Sequence, residues 1–216
     1  VATGDVSSNS AILWARANKQ GKVLIQVTRG NFKKCKLNKA PGKYIVQAKK
    51  SNDLTVQKRI KSLKPGVSYK YRFCMSGGRK SEVGHFKTAP KPSQAKKIRF
   101  ALSGDQDARA VPGGTTPYWN NFQVWNRIRA QKNDFNVMMG DTIYSDSGVL
   151  PGGDAVTLPE YREIHRLTRA DAHLQELLAT TGTFTGWHDH EVHNYSAGET
   201  VDPARFEAGA RAFFEY

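Results

Sequence analysis

Residues 68–75 alternate strictly. Tyr69, Tyr71, Phe73 and Met75 fall on one side of a period-two pattern, and Lys70, Arg72 and Cys74 on the other. Successive side chains of an extended chain point to opposite faces, so the pattern predicts a strand with one aromatic and one polar face. Further β-prone runs lie at 11–17, 23–28, 44–48, 54–60 and 84–88, punctuated by Gly, Asn, Ser or Pro. Short strands at such intervals predict an all-β sandwich over residues 1–90, with Trp14 in its core. Pro65 and Gly66 supply a turn just before the aromatic strand. The stretch 90–97 holds two prolines, small polar residues and three lysines, which disfavour regular structure, and residues 91–97 read as a linker.

Beyond residue 97 the pattern changes. Short apolar runs at 98–102, 135–139 and 184–187 read as strands. Between the first two, Trp119, Phe122, Trp125 and Ile128 recur at three-to-four spacing, which predicts an amphipathic helix over 118–130. Residues 158–180 carry Tyr161, Ile164, Leu167, Leu174, Leu177 and Leu178 on a helical stripe, with 168–171 a point where it divides in two. A last helix starts at Pro203 behind a good N-cap, Asp202, with Phe206, Ala210 and Phe213 on one face. Gly and Pro mark loops at 111–116 and around Gly148, Pro151, Gly152 and Gly153. Strand, helix, strand in succession implies a parallel pair joined by a right-handed crossover. Residues 98–216 are therefore expected to form an α/β domain, with sheets flanked by helices.

Each of the three apolar strands runs into a carboxylate. The first ends in Ser103-Gly-Asp-Gln-Asp107, which places Asp105. The second ends in Gly140-Asp141, with Tyr144 three residues on, and the third runs into Asp189 and His190. The open ends of strands are where α/β folds hold ligands. Carboxylate and phenolate oxygens suit hard and borderline cations. Taken singly, Gly140-Asp141 is equally a turn with Tyr144 packed for its ring, and the weaker alternative for 188–193 is a His-rich surface loop or a lone zinc site. Three acid-bearing strand ends together point to a two-metal site, where a shared carboxylate bridges the ions and an adjacent His serves the leaving oxygen.

The 216 residues allow one or two domains, and 38% hydrophobic content suffices for ordinary cores. No apolar run approaches the ~18–20 residues of a membrane span. No leader is visible, although a cropped one would leave the same opening at Val1. The formal charge of +14 is unevenly spread: residues 1–98 hold 23 Lys and Arg against 3 Asp and Glu, and residues 99–216 hold 10 against 16. Such a break marks a domain boundary, and the basic half suits a polyanion or an anionic surface, unless its lysines only solvate a face. Cys35 and Cys74 allow one disulfide or two free thiols; neither has metal-site spacing.

Two resemblances follow from these residues. Leu63-Lys-Pro-Gly-Val-Ser-Tyr69 resembles the Leu-x-Pro-Gly-x-x-Tyr corner of fibronectin type III domains, which implies a fibronectin- or immunoglobulin-like sandwich. Gly140-Asp-Thr-Ile-Tyr144 and Trp187-His-Asp-His-Glu191 resemble the PhoD-like alkaline phosphatases and phosphodiesterases, of the metallophosphoesterase superfamily. The order of the segments matches over essentially the whole chain. That resemblance implies three segments: a sandwich at 1–90, a linker at 91–97 and a metallophosphoesterase domain at 98–216. It implies metal-dependent hydrolysis of phosphate esters in a secreted or cell-envelope protein. Its usual metals are Fe3+ and Ca2+, with Mn2+ or Zn2+ as alternatives. Carried over by position, Asp105 and Tyr144 hold the first ion, Asp141 bridges both, Asp189 holds the second, and His190 faces the leaving group.

The chain departs from the family at three points. Asp105 stands where better-known relatives often have Cys, and His188 where a second acid is usual; His188 is not expected to be a ligand. The superfamily completes its site with later His and Asp residues, but no His follows residue 194 and the sequence stops within a helix. The expectation is a C-terminally incomplete enzyme domain. A competing function, from another class, is a non-catalytic polyanion-binding protein acting through the basic sandwich.

Overall fold

The alternation of residues 68–75 carries straight into three dimensions. In the computed structural model, which describes residues 1–37, 42–109, 116–148, 153–196 and 199–216, these residues form one buried strand of a two-sheet core. The chain divides into two units. The first comprises Val1–Phe100, Lys132–Phe135 and Leu177–Phe184, and the second Ala101–Gln131, Asn136–Glu176 and Thr185–Tyr216.

The first unit holds β1 (Ala2–Gly4), β2 (Ala11–Arg16), β3 (Gly21–Thr28), β4 (Ile45–Ala48), β5 (Thr55–Ile60), β6 (Ser68–Met75) and β7 (Gly84–Lys87). One sheet contains the order β5-β2-β1, and the other runs β4-β3-β6-β7. The pairs within these two groups are antiparallel. Alternate residues of both sheets meet in one core, with Leu13 and Val56 from the first and Ile25, Tyr71 and Phe86 from the second. Lys70 and Arg72, on the outer face of β6, stay half-exposed. One expectation is corrected here, and one strand appears that was not expected. Trp14 is half-buried, because the core face of β2 is Ala11, Leu13 and Ala15. The chain also begins with a strand, β1, too short and too polar to show a pattern of its own; Gly4 pairs in parallel with Thr183.

The turn before β6 is fixed by a side chain: the Lys64 N–H donates to the Tyr69 hydroxyl at 2.9 Å. Cys35 and Cys74 are joined in a disulfide.

In the second unit the strands β8 (Phe100–Ser103), β9 (Phe135–Met138) and β10 (Thr183–Thr185), whose first residues count with the first unit, lie in the order β10-β9-β8. Ladder bonds from Asp134 N–H to Arg99 O (2.8 Å) and from Met139 N–H to Ser103 O (2.7 Å) rise together, so β8 and β9 are parallel. The helix between them, α1 (Val124–Ala130), begins six residues later than the periodicity predicts. Phe122 adopts a left-handed backbone (φ 51°) and its N–H is taken by Asn120 Oδ1 at 2.6 Å, so no helix passes through it. Its ring still packs as the spacing suggests, stacked on Trp125 at 4.6 Å.

The stripe of 158–180 divides as expected into α2 (Leu158–Thr168) and α3 (Ala172–Thr180). A capping box of Thr157 and Glu160 opens α2, and the Asp171 carboxylate accepts the N–H groups of His173 and Leu174 at the start of α3. The last helix, α4 (Pro203–Glu215), is capped by Asp202, which accepts the Arg205 N–H at 2.9 Å. It packs on α2 through Ile164 and Ala212 and through a paired contact of Arg162 with Glu215 at 2.6 and 2.7 Å. The expected loop residues 111–115 and 149–152 lie outside the described residues. Among the described residues, no helix is long and apolar enough to cross a membrane.

Gly84 pairs with Tyr71 across β7 and β6, and a Cβ there would fall on the fully buried Tyr71 ring. Gly84→Ala is therefore expected to destabilise the fold by about 1–3 kcal/mol, read by denaturant unfolding. A variant as stable as the parent would show that the ring has room to move.

Candidate metal centre

The centre is built where β8, β9 and β10 end. Asp105 and Asp141 follow the adjacent parallel strands β8 and β9, and the Gln106 N–H donates to Asp141 O at 2.8 Å, tying the two strand ends together. Both aspartates adopt left-handed backbones, φ 54° at Asp105 and 50° at Asp141. Gly140 precedes Asp141 with φ 116°, and a Cβ there would lie 2.5 Å from His188 Cβ. Only glycine lets the end of β9 pass this close to the segment after β10.

That segment, residues 188–194, is anchored by one buried carboxylate. Glu191 is 0% exposed. Its Oε2 accepts the N–H groups of Asp141 (3.1 Å) and His188 (2.9 Å). Its Oε1 accepts the Thr142 N–H (2.7 Å) and the Thr142 hydroxyl (2.9 Å). Further bonds continue the join: Ser145 N–H to His190 O at 3.1 Å, and the Ser145 and Tyr161 hydroxyls to Val192 O, each at 2.7 Å. From the other side α4 presses close at Gly209, where a Cβ would stand 2.9 Å from Val192 Cγ2 and 3.1 Å from Glu191 O.

Within this frame Asp141, Asp189 and His190 each offer a ligand atom, and the three atoms lie within 4.8 Å of one another. The Asp189 carboxylate is oriented by the N–H groups of His190 (3.0 Å) and Tyr195 (2.7 Å). Its pKa is lowered: burial opposes this, but the Tyr195 N–H and the two neighbouring histidines outweigh it. His190 Nδ1 lies 2.6 Å from Asp146 Oδ1, a contact that needs the proton on Nδ1 and leaves Nε2 for other work. Asp146 also accepts the Asn194 N–H at 2.6 Å.

Tyr144 belongs to the same centre. Its ring stacks on His190 at 4.0 Å, and its hydroxyl donates to Asp105 Oδ1 at 3.0 Å. Burial first, and then the Asp105 carboxylate, push the phenol pKa upward. The expected residues thus fall into two groups, Asp141 with Asp189 and His190, and Asp105 with Tyr144, linked by the Tyr144–His190 stack. Carboxylates, a phenol and an imidazole form a donor set that suits an Fe3+, Zn2+ or Ca2+ class of ion.

Sequence reasoning passed over three residues. Glu191 stands in the quoted Trp187–Glu191 stretch but without a role, because its partners lie 49 and 50 residues away. Asp146 gives no local sign of its pairing with His190 across 44 residues. His188, not expected to be a ligand, sets Nδ1 3.1 Å from both Asp141 oxygens and 2.8 Å from Asp189 Oδ1. The Asp141 hydrogen bond, followed by the charges of Asp141 and Asp189, raises its pKa. Beside the centre, Asp107 accepts Trp119 Nε1–H at 2.8 Å, and the buried Arg109 donates to Tyr144 O at 3.0 Å.

This fold is shared with two kinds of phosphatase. A structure of PhoD aligns over 100% of the chain and 44% of its own length, with a TM-score of 0.79 and 24% identity. A purple acid phosphatase from yellow lupin (Lupinus luteus) seeds aligns over 100% of the chain and 39% of its own length, with a TM-score of 0.61 and 15% identity. In sequence, residues 1–90 match the PhoD-like phosphatase N-terminal domain and residues 111–216 the PhoD-like phosphatase domain. The chain belongs to the PhoD-like phosphatase family. It is 28% identical to alkaline phosphatase D of Bacillus subtilis, over 100% of this chain and 40% of that protein's length.

Glu191→Gln keeps the shape of the side chain but turns an amide N–H2 toward backbone donors. The expected cost is about 2–3 kcal/mol of unfolding free energy, because buried donors lose their acceptor. Denaturant unfolding of the variant checks this, and a change below about 0.5 kcal/mol would show that the carboxylate does not organise the two segments.

Proposed function

We propose that the protein hydrolyses phosphate esters, as an alkaline phosphatase or phosphodiesterase, at a site holding two metal ions. The observation that carries this reading is that Asp141 and Asp189, here assigned to the ions, and His190, here assigned to the leaving group, offer atoms within 4.8 Å of one another. In this proposal Asp105 and Tyr144 hold the first ion, Asp141 holds both, and Asp189 holds the second. Fe3+ and Ca2+ are the proposed pair, with Mn2+ or Zn2+ as alternatives. Bound there, the ions would supply Lewis-acid polarisation of the phosphoryl group and acidification of a water nucleophile.

The chain's own residues do the rest. Asp146 accepts a hydrogen bond from His190 Nδ1–H, which fixes the tautomer and aims Nε2. Tyr144 stacks on the same ring and holds its plane. His190 so held is suited to give a proton to the leaving alkoxide oxygen and to recover it from water. Glu191 sets the backbone on which Asp141 and His188 are presented.

The proposed organisation is a fibronectin type III-like sandwich at 1–90, a linker at 91–97 and a metallophosphoesterase domain at 98–216. The Tyr69 bond to Lys64 N–H supports the first part, since such a tyrosine corner recurs in these sandwiches. A secreted or cell-envelope location is proposed, and the Cys35–Cys74 disulfide supports it because such bonds persist in oxidising compartments. The basic first unit is proposed to meet a polyanion or an anionic surface.

On a protein that also supplies the later His and Asp ligands the family resemblance implies, the test couples metal content to turnover of nitrophenyl phosphate mono- and diesters; residues 1–216 alone should be nearly inactive. Asp141→Asn should lose both, because a neutral amide is a poor bridge between cations. His190→Ala should slow turnover by about 10²–10⁴-fold, as expected for one lost acid–base group, with metal content mostly kept. Full activity and full metal content in Asp141→Asn would refute the two-metal reading.

A further inference from the structure

A second concave site lies in the first unit, on the outer face of β3. It is a groove of about 610 Å³, walled by Gln26, Phe32, Lys33, Lys34, Lys36 and Tyr44 among others. Its outer wall, residues 31–36, is an irregular strap held down by four contacts at three residues. Gln26 Nε2 donates to Lys33 O at 3.1 Å, and Arg72 donates to the same oxygen at 2.8 Å. The Arg72 guanidinium stands over the Phe32 ring at 4.4 Å. The disulfide joins Cys35 to Cys74, which pairs with Leu24 across β6 and β3.

These anchors hold Lys33, Lys34 and Lys36 close together, with their side chains exposed. The three acids of residues 1–98 are engaged elsewhere: Asp5 with Arg59, Asp53 with Arg16, and Glu82 with the Val1 amine. Among the described residues, no carboxylate pairs with the strap lysines. Like charges fixed together without a counter-charge are paired most economically by an anion that binds. Lysines act as point charges, so they suit phosphate without demanding one geometry. The concave shape suits a chain rather than a flat bilayer. Phe32 already carries Arg72, so selection among nucleobases by stacking on that face is not provided.

We propose that this groove binds an extended phosphate-bearing chain, a polyphosphate or a polyphosphodiester, through Lys33, Lys34 and Lys36. This rests on the reading that the basic first unit engages polyanions, and gives that reading one place on the molecule. The experiment measures affinity of the full chain for inorganic polyphosphate and for single-stranded oligothymidylate across a salt series, with phosphatidylserine vesicles as a third probe. Lys33→Ala/Lys34→Ala/Lys36→Ala should weaken both polymers at least tenfold. It should also flatten the slope of log affinity against log salt by about 2, at ~0.7 per lost contact with a single strand. The charge-matched control Lys91→Ala/Lys96→Ala/Lys97→Ala should stay within about twofold. Cys35→Ser/Cys74→Ser should weaken binding severalfold with the lysines still present, because the strap loses its covalent anchor. Equal losses in the two lysine triples would overturn the groove and leave general attraction by the basic unit standing. Binding to vesicles but to neither polymer would overturn the ligand class.

Discussion

One carboxylate does more than any other group to shape the second unit. Burying the Glu191 anion costs several kcal/mol in desolvation, and an unpaired charge could not persist there. Its oxygens accept three backbone N–H groups and one hydroxyl. Charge-assisted bonds of this kind contribute roughly 1.5–3 kcal/mol each, so four of them offset the desolvation. Glu191 satisfies donors at the end of β9 and in the segment after β10 at once. Neither segment has a regular partner for those groups, so losing the carboxylate would orphan N–H groups on both.

The consequence reaches the candidate ligands. Asp141 sits in a left-handed conformation behind a glycine that no larger residue could replace without striking His188. A conformation of that kind costs of order 1–3 kcal/mol unless its surroundings over-determine it. Here the Glu191 bond to Asp141 N–H, the Gln106 bond to Asp141 O and the support of Val192 by Tyr161 and Gly209 supply that determination. Asp141 is thereby fixed through its own backbone, and its carboxylate is left to face Asp189 and His190. The same division holds for His190, whose ring is set by Asp146 on one nitrogen and by Tyr144 on its face.

The parts legible in the sequence are those that depend on near neighbours. Period-two alternation located β6, β-prone runs between turn residues located five more strands of the first unit, and the Asp202 cap located the start of α4. Parallel β8 and β9 followed from a strand-helix-strand order, and with them the adjacency of Asp105 and Asp141. The parts that stayed hidden depend on pairings across 40 or 50 residues. Glu191 and Asp146 look like any surface acid until the fold brings them to backbone N–H groups and to His190. The late start of α1 depends on one backbone angle at Phe122, which hydrophobic spacing does not encode. Trp14 shows the limit of composition: a large ring was expected in the core, but the register of β2 gave that place to Leu13.

Charge separates the two units by purpose. Five acids of residues 99–216, Asp105, Asp141, Asp146, Asp189 and Glu191, are candidate ligands or hold them in place, whereas residues 1–98 carry 23 basic side chains and 3 acids. Most of those lysines can spread apart and be screened by salt. The strap of residues 31–36 is different, because its lysines are tied to one place. Two ammonium groups ~7 Å apart in water repel by about 0.6 kcal/mol. A cross-link between residues 39 apart in sequence contributes about 2–4 kcal/mol, so the anchor outweighs the repulsion and the strap holds. A fold with no use for that charge would gain by spreading it. The one covalent bond of the first unit that joins distant residues instead fastens the strap that bears it.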